Sequence, residues 1–246
     1  MVDIRENIAK VLENIEAAAV RSGRNAEDIT LICVSKTRSA EEIATAISCG
    51  QYVFGENKVQ EIQDKVEKVQ HIAEMDPNSH NIKWHMIGHL QRNKVKYIID
   101  KVDLVHSVDS FRLAEELDLR AGQHGRKIEV LLQINAGGEA QKNGVLSSEA
   151  EELLQSIEKG TENIIVSGLM SVVPIADDPE DVRGYFREVK RLFDDIKGRY
   201  SKEGSRIDFK HLSMGMTHDY EIAIEEGATM VRVGTGIFGP RNYNVS

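Results

Sequence analysis

Thr30-Leu31-Ile32-Cys33-Val34-Ser35 is a short apolar run, rich in β-branched residues, that leads directly into Lys36. Its composition predicts a buried strand, and Ala40–Ser48 after it has the apolar spacing of a helix. The same order of strand and helix recurs along the chain, which is typical of parallel strands covered by helices. The number of such units therefore decides the fold.

Eight units of this kind are present. The predicted strands are Thr30–Ser35, Tyr52–Phe54, Ile82–Ile87, Leu104–Ser107, Glu129–Ile134, Ile164–Leu169, Phe209–Leu212 and Met230–Val233. The predicted helices between them are Ala40–Ser48, Lys58–Val69, Leu90–Ile99, Phe111–His124, Ser148–Glu158, Asp181–Tyr200 and His218–Glu226. Eight alternating units favour a closed (β/α)8 barrel of the TIM type over a doubly wound open sheet. Residues 3–22 add an extra N-terminal helix, and with no Pro/Gly/Ser-rich linker we expect residues 1–246 to form a single domain.

The composition excludes several classes of function. The 40 acidic residues outnumber the 31 basic ones, and the net charge of −9 opposes binding to nucleic acid or to an anionic membrane surface. The basic stretch at residues 92–96 is interpreted as a solvated helix face. Two cysteines are too few for a disulfide framework, and neither a signal peptide nor an apolar run of membrane-spanning length is present. We expect a cytoplasmic monomer.

Two basic residues at predicted strands indicate a ligand inside the barrel. Lys36 ends the first strand on the same face as Ile32, and a desolvated lysine can capture a carbonyl compound. A lysine whose charged end simply reaches solvent is the structural alternative. Arg232 shares a face with Met230 and points inward if the neighbouring valines pack on the helices. A buried guanidinium needs acceptors, which a structural carboxylate or a ligand would supply.

Glycine-containing turns follow the last two strands. Gly234-Thr235-Gly236-Ile237-Phe238-Gly239 matches G-x-G-x-x-G, but a dinucleotide fold needs a further helix, a strand and an acid about twenty residues on, and the sequence stops at Ser246. Ser213-Met214-Gly215-Met216-Thr217 follows the seventh strand. The loops after strands seven and eight of a barrel frequently bind phosphate, so the two turns favour a phosphate-bearing ligand over ordinary capped turns.

Other polar residues follow strands at the same end of the predicted barrel. Glu56 and Asn57 come after the second strand and Asn135 ends the fifth, with helix capping as the structural alternative. His85 and His89 have the i, i+4 spacing of a zinc site on a helix. The first of them lies in a predicted strand, and Gly88 interrupts any continuous helix. No metal site is therefore predicted.

Five motifs, taken in order, closely resemble the pyridoxal phosphate homeostasis protein family. They are Val34-Ser35-Lys36-Thr37, Phe54-Gly55-Glu56-Asn57, Trp84-His85-Met86-Ile87-Gly88-His89-Leu90-Gln91, Ser213-Met214-Gly215-Met216 and Val231-Arg232-Val233-Gly234. The resemblance spans nearly the whole chain. It departs at Lys58, where the family commonly has an aromatic residue, and at Thr217, where it often has serine; both changes could alter access to the pocket.

The resemblance implies the barrel of the alanine racemase N-terminal domain, with pyridoxal 5′-phosphate (PLP) as the cofactor. It implies that Lys36 forms the Schiff base and that Arg232 faces the pyridine nitrogen. The residues implied to contact the phosphate are Ser213, Met214, Gly234, Thr235 and Gly236. Asn57 and His89 would line the pocket, and no catalytic residue is implied.

Three functions remain open. An arginine opposite the pyridine nitrogen disfavours protonation there and weakens the electron sink, so the resemblance favours a protein that carries or buffers PLP for apo PLP-dependent enzymes, without substantial catalysis. The alternative is a PLP-dependent amino-acid racemase or related enzyme with Lys36 as one base. Against it, nothing here matches the β-rich second domain of alanine racemases, and Tyr243 is the tyrosine expected to approach the mouth. A Schiff-base aldolase acting on a phosphosugar is the third function.

Overall fold

The computed structural model describes residues 2–139, 143–174, 176–203 and 205–240. Eight parallel strands follow one another in chain order and close into a barrel through the pairing of the first with the last. The strands are β1 (Thr30–Val34), β2 (Val53–Glu56), β3 (Lys83–Met86), β4 (Leu104–Val108), β5 (Ile128–Ile134), β6 (Ile164–Ser171), β7 (Ile207–Met216) and β8 (Met230–Val233). The predicted (β/α)8 barrel is confirmed.

Helices cover the outside of the barrel. They are α1 (Ile4–Arg21), α2 (Ala40–Ile47), α3 (Val59–Ile72), α4 (Phe111–Gln123), α5 (Ala150–Gly160), α6 (Arg183–Tyr200), α7 (Tyr220–Glu225) and the single turn α8 (Thr235–Phe238). Asp3 is the N-cap of the extra helix α1, and its carboxylate accepts from the backbone N–H groups of Arg5 and Glu6. It packs against α7 and α8 and so supports the segment that follows β8.

The helix predicted over Leu90–Ile99 is not formed. The structure has a 3-10 helix over Arg92–Tyr97 instead, with backbone bonds such as that from the N–H of Ile98 to the carbonyl of Val95. Val95 is the one buried residue of that helix. This short 3-10 turn suffices to connect β3 and β4 and to bury Val95, together with Ile98 and Ile99 just after it.

Because side chains alternate between the two faces of each strand, the barrel has one apolar layer outside the strands and another inside. Side chains that point outward pack under the helices, and Val231 and Val233 of β8 belong to that layer. A smaller cluster fills the barrel interior; its buried members are Ile32, Leu104, Leu131, Met170 and Met230. Since Arg232 lies two residues after Met230, the alternation turns its side chain inward, as the sequence predicts. None of the helices in the described ranges combines the length and apolarity needed to cross a bilayer.

Candidate functional site

Lys36 lies at the carboxyl-terminal mouth of the barrel, beside the turn that follows β8. A small cleft is lined by Val34, Lys36, Arg38, Gly234 and Thr235. The register of β1 on β8 explains this placement, because Cys33 pairs with Val233 and the residues beyond both strands leave the barrel side by side. The structure therefore brings the predicted Schiff-base lysine together with two of the predicted phosphate contacts.

The backbone around Lys36 is held by hydrogen bonds on both sides. The ammonium of Lys65 donates to the carbonyl of Ser35 at 2.8 Å, and the N–H of Thr37 donates to the carboxylate of Glu61 at 2.5 Å. Thr37 has a φ of 66°, a left-handed conformation that a β-branched residue adopts only when its surroundings impose it. These bonds fix the direction in which Lys36 leaves the strand.

Glu56 and Lys65 form a buried ion pair beneath this segment. Oε1 of Glu56 accepts from Lys65 Nζ at 2.8 Å and from the hydroxyl of Ser35 at 2.8 Å, whereas Oε2 is buried without a partner. Burial raises the pKa of Glu56 to about 7, against the opposing attraction of Lys65. Capping does not explain Glu56, and the sequence reasoning missed Lys65. The sequence signal that could have identified Lys65 is its position on the apolar face of α3, between Ile62 and Val69.

Arg232 is buried inside the barrel with neutral acceptors only. Its Nη1 donates to the hydroxyl of Ser213 at 2.6 Å and its Nη2 to the carbonyl of Ser171 at 2.8 Å. Burial lowers its pKa to about 10, although the charge of Asp219 opposes this shift. No carboxylate of the described residues forms an ion pair with it, so the structural alternative of a carboxylate partner does not hold. These bonds use two of the roughly five N–H donors of a guanidinium, and the others are available to a ligand.

The segment at the end of β7 does not present both of its predicted phosphate-contacting side chains to the mouth of the barrel. Ser213 points into the barrel, where its hydroxyl lies between Arg232 and Nδ1 of His106, 3.0 Å away. Met214 is buried in the outer apolar layer under the helices. Its side chain therefore faces away from the mouth, and only its main chain could contact a phosphate. The phosphate contacts of Ser213 and Met214 stay predictions.

Donors from the turn after β8 converge on one oxygen. The N–H groups of Gly234 and Gly236 lie 3.3 and 3.4 Å from Oγ1 of Thr217, and the hydroxyl of Thr235 lies 3.3 Å from it. Bonds of this length are weak, so the donors could transfer to a phosphate oxygen without a large loss. Thr217, which the sequence marks only as a departure from the family, lies at the centre of this arrangement.

Asn57 and His89 follow β2 and β3. Oδ1 of Asn57 is buried without a hydrogen-bond partner, and no side chain caps α3, so capping does not explain this residue. A Cβ on Gly88 would lie 2.7 Å from the Asn57 Cα, which shows how closely the two loops pack. His89 is about half exposed, with Nδ1 4.0 Å from a carboxylate oxygen of Asp109. The unpartnered amide oxygen is what a polar ligand would satisfy.

Two further histidines inside the barrel were not predicted as site residues. Nε2 of His106 lies 3.1 Å from Nδ1 of His85, so Arg232, Ser213, His106 and His85 form one continuous hydrogen-bonded chain. Burial lowers the pKa of His85 to about 3 and that of His106 well below its usual value. His85 lies in a strand, as predicted, and the described residues contain no group of three potential ligands that could hold a metal ion.

Comparison with known proteins identifies similar chains. The family model described as alanine racemase, N-terminal domain, matches residues 7–242. The pyridoxal phosphate homeostasis protein of Aquifex aeolicus strain VF5 is 43% identical over 97% of this chain and 98% of its own length. The protein of that name from Escherichia coli K12 is 40% identical over 99% of both chains. The structure of PipY from Synechococcus elongatus PCC7942 with PLP bound superposes with a TM-score of 0.75, at 30% identity over 96% of this chain and 100% of PipY.

Proposed function

Because this chain belongs to the alanine racemase N-terminal domain family, and within it to the pyridoxal phosphate homeostasis proteins, we propose that it carries or buffers PLP as a Schiff base on Lys36. The observation that carries the proposal is the single cleft that contains Lys36 together with Gly234 and Thr235. An amine for the aldehyde and donors for the phosphate are the two anchors that this cofactor requires. PipY, a relative with the same fold, has been solved with PLP bound.

The residues present fit the cofactor. Asn57 Oδ1 and Ser171 Oγ are buried polar atoms without a partner, and Arg232 has unused donors in the same barrel interior. When bound, PLP supplies an aldehyde that condenses with amines and a ring that can withdraw electrons. The N–H groups of Gly234 and Gly236 and the hydroxyl of Thr235 would hold the phosphate, in place of Thr217 Oγ1.

The electrostatics of Arg232 support retention of the cofactor without substantial catalysis. The guanidinium stays cationic at neutral pH, since its pKa is about 10 even after burial. A cation facing the pyridine nitrogen opposes protonation of that nitrogen and so weakens the electron withdrawal that strong carbanion chemistry needs. Lys36 then holds an aldehyde that can be passed to another amine. Apo PLP-dependent enzymes are the recipients that this chemistry suits, and we expect the chain to act as a monomer in solution.

The assignment of Lys36 is tested by spectroscopy with a matched lysine control. We expect an imine absorption band when the purified protein is incubated with PLP, and borohydride reduction should attach the cofactor to the peptide that contains Lys36. Lys36→Ala should lose both signals. Lys68→Ala, which removes an exposed lysine of α3, should keep them. A band that survives in Lys36→Ala would place the Schiff base elsewhere.

The phosphate contacts and the carrier role need separate measurements. Pyridoxal, which lacks the phosphate, should bind at least about tenfold more weakly than PLP, a loss of about 1.4 kcal/mol. Transfer of the cofactor to an apo-enzyme should persist in the presence of a trap for free aldehyde if the carrier delivers it directly. A racemase would instead exchange the Cα proton of an amino acid with solvent deuterium. Exchange that is fast and abolished by Lys36→Ala would replace the carrier proposal with an enzyme.

A further inference from the structure

A second cavity lies at the opposite, amino-terminal end of the barrel. It has a volume of about 560 Å³, and every one of the eight strands contributes a lining residue, which is the first or second of its strand in all but β7. Examples are Thr30 of β1, Lys83 of β3 and Met230 of β8, each the first residue of its strand. The cavity is therefore coaxial with the barrel and separated from the mouth by the interior side chains.

The lining of this cavity has an excess of positive charge. Its cationic side chains are Lys83, Arg126, Lys127 and Lys210, against the two carboxylates of Asp103 and Glu129. An excess of cations in one concave site stands out in a chain whose net charge is −9. Such a concave cluster concentrates anions from solution.

The two carboxylates are already engaged by the protein. Glu129 accepts from the hydroxyl of Ser167 at 2.7 Å and pairs with Lys210 at 3.1 Å. Asp103 accepts from the backbone N–H of Trp84 at 2.8 Å.

The other three cationic side chains of the cavity have no carboxylate partner among the described residues. Arg126 donates to the backbone carbonyls of Ile99 and Val102, which leaves its charge uncompensated. The side chains of Lys83 and Lys127 form no ion pair or hydrogen bond with any residue in the described part of the chain. Their ammonium groups are therefore available to a bound anion.

A hydrogen-bond donor on a buried histidine faces the same cavity. Ser213 Oγ accepts from Arg232, so its own hydrogen needs an acceptor, and Nδ1 of His106 is the one that the described residues provide. His106 must then have its hydrogen on Nε2 and donate it to Nδ1 of His85. His85 in turn has its hydrogen on Nε2. His85 is 4% exposed and lines the cavity, and its Nε2–H has no protein acceptor among the described residues.

We infer that this cavity is a binding site for a small dianion, held by Lys83 and Lys127 and accepting a hydrogen bond from Nε2 of His85. The lowered pKa values of His85 and His106 support the assignment, because neutral imidazoles keep the donor order stated above. Two compact ammonium charges beside a single N–H donor suit a small dianion with several acceptor oxygens, such as a tetrahedral oxyanion or a short dicarboxylate. The inference does not depend on PLP binding at the other end of the barrel.

The test is a titration of the full chain, labelled with ¹⁵N-histidine and free of PLP, with sodium sulfate and separately with sodium succinate, chloride holding the ionic strength constant. We expect a saturable shift of the His85 Nε2 resonance, assigned with His85→Gln, for at least one dianion. Sulfate can also bind to the donors near Thr235 at the mouth of the barrel. A shift of the His89 resonance reports binding there, separately from binding at His85. A saturable shift confined to His89, or no saturable shift at His85 with either dianion, would overturn the inference.

A pair of double variants decides whether the lysines hold the ligand. Lys83→Ala/Lys127→Ala should weaken binding at His85 at least about tenfold, whereas Lys68→Ala/Lys159→Ala removes the same charge from exposed positions on α3 and α5 and should leave it unchanged. Equal weakening in both double variants would show that the effect depends on net charge alone, and it would contradict the proposed binding site. The relative affinities of sulfate and succinate identify the ligand class. Because PLP is absent throughout, loss of the Schiff base in Lys36→Ala bears on the other proposal alone.

Discussion

Removal of Lys65 should extend the fall in the free energy of unfolding with rising pH beyond pH 7. In the folded wild type the pKa of Glu56 is about 7, against an ordinary value of 4.5. Between those values the folded state binds more protons than the unfolded state, so stability falls as pH rises through that window. The fall ends near pH 7, where Glu56 ionises beside Lys65. In Lys65→Met the attraction that favours ionisation is gone, and Glu56 should stay protonated to higher pH.

The size of the effect on stability follows from this upward shift in the pKa of Glu56. Each pH unit over which the folded carboxyl stays protonated and the unfolded one is ionised costs about 1.4 kcal/mol. The difference in unfolding free energy between wild type and Lys65→Met should therefore be nearly constant from about pH 5.5 to 7 and grow by about 2 to 3 kcal/mol at about pH 9. The constant part reflects the lost bonds from Lys65 to Ser35 and Glu61.

Urea unfolding followed by fluorescence measures this difference directly. Trp84 is the single tryptophan and is 4% exposed in the folded protein, so its emission should report global unfolding. The matched control is Glu56→Gln/Lys65→Met, in which no carboxyl remains at position 56 and the growth above pH 7 should vanish. An equal difference at pH 6 and pH 9, or a double variant that keeps the steep dependence, would refute the assignment of the effect to Glu56.

Glycine substitutions give the remaining predictions. Gly168 has a φ of 147°, and a Cβ there would overlap the carbonyl oxygen of His211, so Gly168→Ala should cost more than about 3 kcal/mol or prevent folding. Gly184→Ala, in open space on α6, should instead stabilise by up to about 1 kcal/mol, and thermal melts should separate the two variants. Gly88→Ala should displace the Asn57 backbone and lower PLP affinity by about tenfold in an absorbance titration; unchanged affinity would remove Asn57 from the pocket.

The fold was predictable because the apolar period changes sharply along the chain. β8 begins and ends where predicted, since alternation stops at Gly234. β7 continues to Met216, past the predicted end at Leu212, because hydrogen bonding resumes after an irregularity in its pairing with β8. Such an irregularity depends on the neighbouring strand and leaves no periodic signal. The prediction of a helix over Leu90–Ile99 was wrong because the spacing of Val95, Ile98 and Ile99 does not distinguish an α-helix from the short 3-10 turn that buries them.

The site was predictable where one residue type carries the chemistry. Lys36 and Arg232 stand out because a charged residue at an apolar strand needs an explanation. His106 was missed because its role depends on Ser213, a partner distant in sequence, whereas Lys65 was missed because its place on the apolar face of α3 was not recognised. His106 could have been recognised as an inward residue, since it alternates with Leu104 in β4. Nothing in the sequence shows that it bonds to Ser213.

The direction of the hydrogen-bonded chain gives the sign of the coupling that this chain carries between the two ends of the barrel. An anion that accepts from Nε2 of His85 makes its Nδ1 a better acceptor, and the effect continues through His106 to the hydroxyl of Ser213. That hydroxyl accepts from Arg232, so the buried positive charge is stabilised. By reciprocity, whatever favours the charged guanidinium at the cofactor end also favours the dianion at the other end. The two ligands should therefore strengthen each other's binding.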